Sequence, residues 1–206
     1  MYARSTTIHG NPQSLDEGIA YVRDEVMPLV TRMEGCVGLS MLADRETGHC
    51  IVTTSWRDEA AMHASAEGVR ASRDRAVQIF GGQPEIEEWE IAVLHRLHEA
   101  GEGACTRVTW SRTDPAQADR VLDGYRMTVM PRLEEMPGFC SVSMMVRRSE
   151  GMAAGAVTFT DRRSLEQTRD SARAMRDEFA PAMGVAITDV REFDLVLAHL
   201  RVPETV

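Results

Sequence analysis

The chain has no lysine; all 23 of its basic residues are arginine, so neither Schiff-base chemistry nor a lysine nucleophile is available. It has one asparagine, Asn11, beside Pro12, a pairing that reads as turn chemistry. The four cysteines, Cys36, Cys50, Cys105 and Cys140, show no CxxC spacing and sit in or beside apolar strand-like runs, the pattern of buried free thiols. His9, His49 and His98 form no HxxxH or HxH pair, so no metal site and no cofactor is expected. There is no clustered basic run, and the net charge is -9, which argues against nucleic acid or an anionic membrane as partner. No apolar stretch approaches the roughly 18 residues a membrane helix needs, and the polar start Met1-Tyr2-Ala3-Arg4-Ser5-Thr6 is no signal peptide. A soluble, cytoplasmic protein is the expectation.

What the chain does have is a copy of itself. Shifted by 103 positions, Val26-Met27-Pro28, Met33, Gly35, Ser40-Met41, Arg45 and Gly48 fall on Val129-Met130-Pro131, Met136, Gly138, Ser143-Met144, Arg148 and Gly151. After a one-residue insertion, Trp89 matches Phe193 and His95 matches His199. Roughly a quarter of positions 2 to 81 are identical to their partners, which marks a duplication with a domain-sized period. The expected domains are 1–98 and 104–206, joined by a polar linker with two glycines.

Each copy reads strand, helix, strand, strand, helix, strand. In the first, Ile19, Val22, Val26, Leu29 and Met33 recur at helical spacing over about 14–33, and Gly35 supplies the stop. Strands are expected at 2–8, 36–43, 49–56 and 86–97, with a second helix from an Asp58 N-cap to about Phe80. The order βαββαβ gives a ferredoxin-like antiparallel sheet with both helices on one face. Yet Val142-Ser143-Met144-Met145-Val146 and Leu195-Val196-Leu197-Ala198 are apolar on both faces, so the second face must also be covered. The fold class expected is therefore α+β: two tandem ferredoxin-like repeats whose antiparallel sheets pack into one pseudo-dimeric α+β barrel within a single chain, with further homo-oligomerisation open.

With Met33-Glu34-Gly35-Cys36, Met136-Pro137-Gly138-Phe139, and the strand-to-helix segments 51–60 and 156–161, the chain resembles the antibiotic biosynthesis monooxygenase (ABM) family of dimeric α+β barrels. The resemblance implies a ligand cavity between helices and sheet in each repeat. It also implies two kinds of relative. Cofactor-independent oxygenases of aromatic rings rely on asparagine, tryptophan and arginine near the substrate. Heme-degrading relatives place an axial histidine and a tryptophan on the second helix; those positions hold Arg75 and Ser65 in copy one and Glu178 and Thr168 in copy two, none of them a neutral imidazole.

Two catalytic candidates follow. His63, on the second helix, is read either as a general base or as a solvated histidine. Arg73, duplicated as Arg176, is read as an anion stabiliser for an enolate or peroxide or as a surface ion-pair partner, and Arg4 and Arg107 are read as surface salt bridges. Trp56, Met62, Ser65 and Val69 are the substrate-binding candidates, Trp56 equally serving as core. Because the inner stripe of the second helix is smaller in copy one (Met62, Ser65, Val69, Ser72, Ala76) than in copy two (Leu165, Thr168, Ala172, Met175, Phe179), copy one is expected to keep the open pocket unless Phe80 and Trp89 fill it. His95 and His199 are expected to pack near the ends of the last strands. The partner expected is a small hydrophobic or aromatic molecule, with molecular oxygen if the protein is an enzyme. The alternatives are a non-catalytic barrel holding such a ligand and, less favoured, heme binding or degradation.

Overall fold

The computed structural model describes residues 1–200, of Leu200 the backbone only; the end of the second repeat, 201–206, lies outside the described residues. The first repeat forms strands β1 Tyr2–His9, β2 Cys36–Ala43, β3 His49–Trp56 and β4 Pro84–Arg96 and helices α1 Leu15–Tyr21, α2 Met27–Thr31, α3 Glu59–Ala64 and α4 Arg70–Phe80. The second forms strands β5 Cys105–Arg112, β6 Phe139–Arg147, β7 Met152–Phe159 and β8 Ala186–Leu200 and helices α5 Ala118–Gly124, α6 Met130–Glu134, α7 Arg162–Gln167 and α8 Arg169–Met183. The class is α+β with two ferredoxin-like repeats, as expected.

Two compact units cut across the repeats. One comprises Met1–Glu90 and the described chain after Asp194; the other comprises Ile91–Asp194. Strand order is β4-β1-β3-β2-β8 in the first unit and β8-β5-β7-β6-β4 in the second, so the hydrogen-bonded order returns on itself as a closed barrel. Within the first unit β1 lies antiparallel between β3 and β4, with Arg4 opposite Thr54 and Glu88. Within the second, β5 lies between β7 and β8, with Arg107 opposite Val157 and Glu192.

Both helical layers differ from the single long helices expected. The first helix of each repeat runs through a wide π turn, Val22–Val26 and Tyr125–Val129, immediately before Pro28 and Pro131. Proline has no N–H to give the preceding turn, so a local shift in hydrogen-bond spacing is accommodated there. The second helix is two: Asp58 caps α3 by accepting from the Ala61 amide at 2.8 Å, and α3 then ends before Val69 introduces α4. Gly35, at φ +78, ends the helical layer where a Cβ would fall 2.4 Å from that of Ala61, a site open only to glycine.

The cores explain why the units are not copies in detail. In the first, Phe80 is fully buried with Ile8, Leu15, Val22, Leu39 and Met41, its ring lying against Gly18, where a Cβ would stand 2.0 Å from Cε1. In the second, Met183 takes the Phe80 position and rests over Gly124 instead. We expect Phe80→Ala to lower unfolding stability by about 3–5 kcal/mol, the usual cost of emptying a buried aromatic site, read from urea denaturation midpoints.

Candidate functional site

A duplicated buried arginine organises each unit. Arg4 and Arg107 are 5% and 4% exposed, which corrects the surface reading of both. Arg4 donates through Nε and Nη2 to Glu88 Oε1 at 3.0 and 2.7 Å, through Nη1 to Ser65 Oγ at 3.0 Å, and through Nη2 to the Met62 carbonyl at 2.8 Å. Arg107 repeats the set on Glu192 (3.1 and 2.9 Å), Thr168 Oγ1 (3.1 Å) and the Leu165 carbonyl (2.8 Å). The carbonyls belong to the last turns of α3 and α7, whose final C=O groups have no partner within their own helix. Each guanidinium therefore ends a short helix and ties it to the first and last strands of its repeat.

The acids carry the consequence. Partial burial opposes the charge on Glu88, but hydrogen bonds from Arg4 and then His63 hold its pKa below the ordinary carboxylate value. Burial likewise opposes Glu192, and bonds from Arg169 and Arg107 outweigh it. The thiols go the other way: burial pushes Cys50 up to about 12 and Cys105 up to about 11, so neither is a thiolate nucleophile near neutral pH.

The cavity lies in the second repeat, between helices α5, α6 and α8 and the strands β5 to β8. It measures about 120 Å³, and Leu122, Tyr125, Val129, Met144, Val157 and Met175 supply much of its apolar wall. The cavity thus stands in the repeat whose second helix carries the larger side chains, where the comparison of those helices sets the filled half. The second helix alone pointed the wrong way, because the space is decided by strand and first-helix positions: Ile8, Leu15 and Val52 of copy one are replaced by Ser111, Ala118 and Gly155, all three on the cavity wall. In copy one the corresponding space is taken by Phe80, the compensation anticipated as the alternative.

None of the six residues singled out from the sequence lines this cavity. His63 is exposed on α3, its Nε2 3.0 Å from Glu88 Oε2. Trp56, Met62 and Val69 form a core cluster with Val30, and the Trp56 Nε1 donates to Thr54 at 3.1 Å. Ser65 is a ligand of Arg4. Arg73 is half-buried, and its repeat partner Arg176 does line the cavity. Among the described residues Arg176 makes no hydrogen bond or ion pair, and burial followed by the charge of Arg107 lowers its pKa. Tyr125, edge-on to Phe179 with centroids 6.2 Å apart, also lines the cavity. Its hydroxyl has no partner among the described residues, and burial raises its pKa. His95 of the second unit sits 3.1 Å from Glu134. Among the described residues no three His, Cys, Asp or Glu side chains are grouped as a metal site, and no helix is long and apolar enough to cross a membrane.

With fold and cavity in hand, comparison places the chain. It matches the family model for antibiotic biosynthesis monooxygenase over residues 1–72. Two uncharacterized Mycobacterium tuberculosis proteins, Rv2557 and Rv2558, are 46% and 47% identical to it across the whole chain, covering 92% and 88% of their own lengths. An anthrone oxidase-like protein shares the fold at TM-score 0.68 and 16% identity, over 97% of this chain and 93% of that one. A monooxygenase-like protein of Listeria innocua does so at 0.58 and 9%, over 95% and 94%. The heme-degrading enzyme of Listeria monocytogenes does so at 0.54 and 8%, over 94% and 99%. Residues 1–72 carry the antibiotic biosynthesis monooxygenase domain, and the chain as a whole belongs to one family with Rv2557 and Rv2558.

A heme does not fit the residues present. Arg75 and Glu178 are exposed, Glu178 paired with Arg132; Ser65 and Thr168 are held by the buried arginines; and a cavity of about 120 Å³, comparable with the roughly 150 Å³ that holds one benzene ring, has no room for a tetrapyrrole.

Two outcomes test the arginine bracket. Removing Arg107 as Arg107→Met leaves Glu192 with Arg169 and takes the guanidinium donors from Thr168 and the Leu165 carbonyl, which should cost about 1–3 kcal/mol, measured by denaturant unfolding. Because the Glu192 pKa is depressed in the folded state, its contribution is present above the ordinary carboxylate value and is lost as pH falls through the lowered one. Glu192→Gln should therefore flatten the acid limb of a melting-temperature profile while lowering its plateau.

Proposed function

We propose that the protein is a cofactor-independent monooxygenase of a small aromatic or polyphenolic metabolite, and that the cavity of the second repeat is its substrate site. The observation that carries this reading is an apolar, ring-sized cavity with an unpaired guanidinium, Arg176, in its wall. In such chemistry the ionised substrate passes an electron to oxygen, and the two radicals join as a C–O bond. The resulting hydroperoxide loses water, so that a ring CH₂ and O₂ become a ring C=O and H₂O with no external reductant. The protein's part is to hold the ring away from water and to stabilise the enolate or peroxide charge, for which Arg176 is placed.

A non-catalytic binding role is favoured by a separate observation: among the described residues no Asp, Glu, His or Cys side chain lines the cavity, so no carboxylate or imidazole base and no thiol faces the ligand. Oxygen consumption separates the readings. With a one-ring hydroquinone and without flavin, metal or NADH, we expect oxygen uptake that falls about 100-fold in Arg176→Ala and stays within twofold of the parent in Arg73→Ala and His63→Ala. No uptake across a broad phenol panel leaves the binding role.

A further inference from the structure

The cavity is basic inside an acidic protein. Arg107, Arg147, Arg148 and Arg176 all reach its wall and among the described residues no carboxylate does, although the chain carries a net charge of -9. Three of the four are balanced from behind: Arg107 by Glu192 at 2.9 Å, Arg147 by Glu150 at 3.2 Å and Arg148 by Asp119. Arg176 has no such partner among the described residues. An apolar cavity is a costly place for an unpaired cation, and an anion entering it would meet that charge without displacing an existing salt bridge.

We infer that the second-repeat cavity binds a one-ring aromatic as its oxyanion, a phenolate or the enolate of a ring ketone, with Arg176 as counter-ion and the Tyr125 hydroxyl as neutral donor. The inference rests on the proposed substrate site and narrows it in size and charge. Size follows from about 120 Å³ of space set beside the roughly 150 Å³ cavity that holds benzene. Charge state follows from the wall. With no carboxylate or imidazole to take the proton, ionisation cannot be a transfer to the wall; the O–H bond breaks, its proton goes to bulk water, and the anion is the species retained. Burial of Arg176 supports this, since an anion restores what desolvation and the neighbouring Arg107 remove. The Tyr125 hydroxyl, held protonated by burial, can only donate to such an oxygen.

The probe is 4-nitrophenol, which ionises near neutrality and whose phenolate absorbs in the visible. Titrated while bound to the full chain, it should show a pKa about one unit below its free value, a tenfold preference for the anion, at one site per chain. In Arg176→Met, which keeps an apolar stem and breaks no recorded bond, the bound pKa should return to the free value. Tyr125→Phe should weaken binding several-fold, and Gly155→Val, which installs the side chain of Val52 from the other repeat, should abolish it. Failure of 4-nitrophenol to bind, a bound pKa unchanged or raised, or a shift that survives Arg176→Met would overturn the inference. Oxygen uptake with an unshifted pKa overturns this inference alone; a shifted pKa without oxygen uptake from any phenol overturns the monooxygenase reading alone.

Discussion

Each unit depends on a buried guanidinium that has to be satisfied from several directions at once. Arg4 and Arg107 sit on central strands, where the neighbours on both sides are antiparallel and fixed in register. From there a planar donor fork reaches a carboxylate on one strand, a hydroxyl and a helix-terminal carbonyl. Lysine has a single ammonium and cannot match that fork. The break between α3 and α4, and between α7 and α8, sits where the guanidinium accepts no alternative: the serine or threonine it binds also donates to the same helix-terminal carbonyl, at 2.7 and 2.8 Å. A buried charge left unpaired is among the most destabilising defects a core can carry, so these positions resist change while their surroundings drift.

That contrast explains how the two repeats come to differ. The brackets are superimposable in chemistry: arginine, glutamate, a small hydroxyl residue, a backbone carbonyl. The filling is not. Copy one closes its space with a phenyl ring laid on a glycine, and copy two opens its space by losing side-chain volume at Ser111, Ala118 and Gly155. Apolar fillings exchange volume at modest cost provided the frame holds. A fused duplication therefore lets one half become packing while the other keeps a chamber.

The frame was the legible part of the sequence. The strands at 36–43 and 49–56 fall where alternation and turn residues put them, and the Asp58 cap and Gly35 stop are in place, because each is set by local chemistry. The π turns and the split second helix were hidden, since they arise from a proline's missing donor and from an arginine 58 residues away. The buried arginines did leave a signal. Arg4, Ser65 and Glu88 all recur as like residues in copy two, a triple coincidence that a surface ion pair does not require. The pocket also left one, in Ile8, Leu15 and Val52 against Ser111, Ala118 and Gly155, but reading volume from the second helix alone could not weigh strand positions against a distant Phe80.

The electrostatics of the chamber follow from the same bracket. Once Arg107 is fixed by Glu192, a second cation on the adjoining helix must either find its own acid or remain exposed to the first. Glu192 is already shared by Arg107 and Arg169, and the exposed Asp177 beside Arg176 makes no ion pair with it. Arg176 is thereby left without an ion pair beside an apolar space, the charges of Asp177 and Glu192 acting on it only at a distance, and among the described residues no carboxylate or imidazole lines that space. In the first repeat Arg73 has the same neighbour in Arg4, and its pKa is lowered for the same reasons, burial first and Arg4 second. The space before it, however, is filled by carbon. One substitution pattern, loss of volume on β5, α5 and β7, thus turns a shared electrostatic frame into a site in one repeat and leaves it inert in the other.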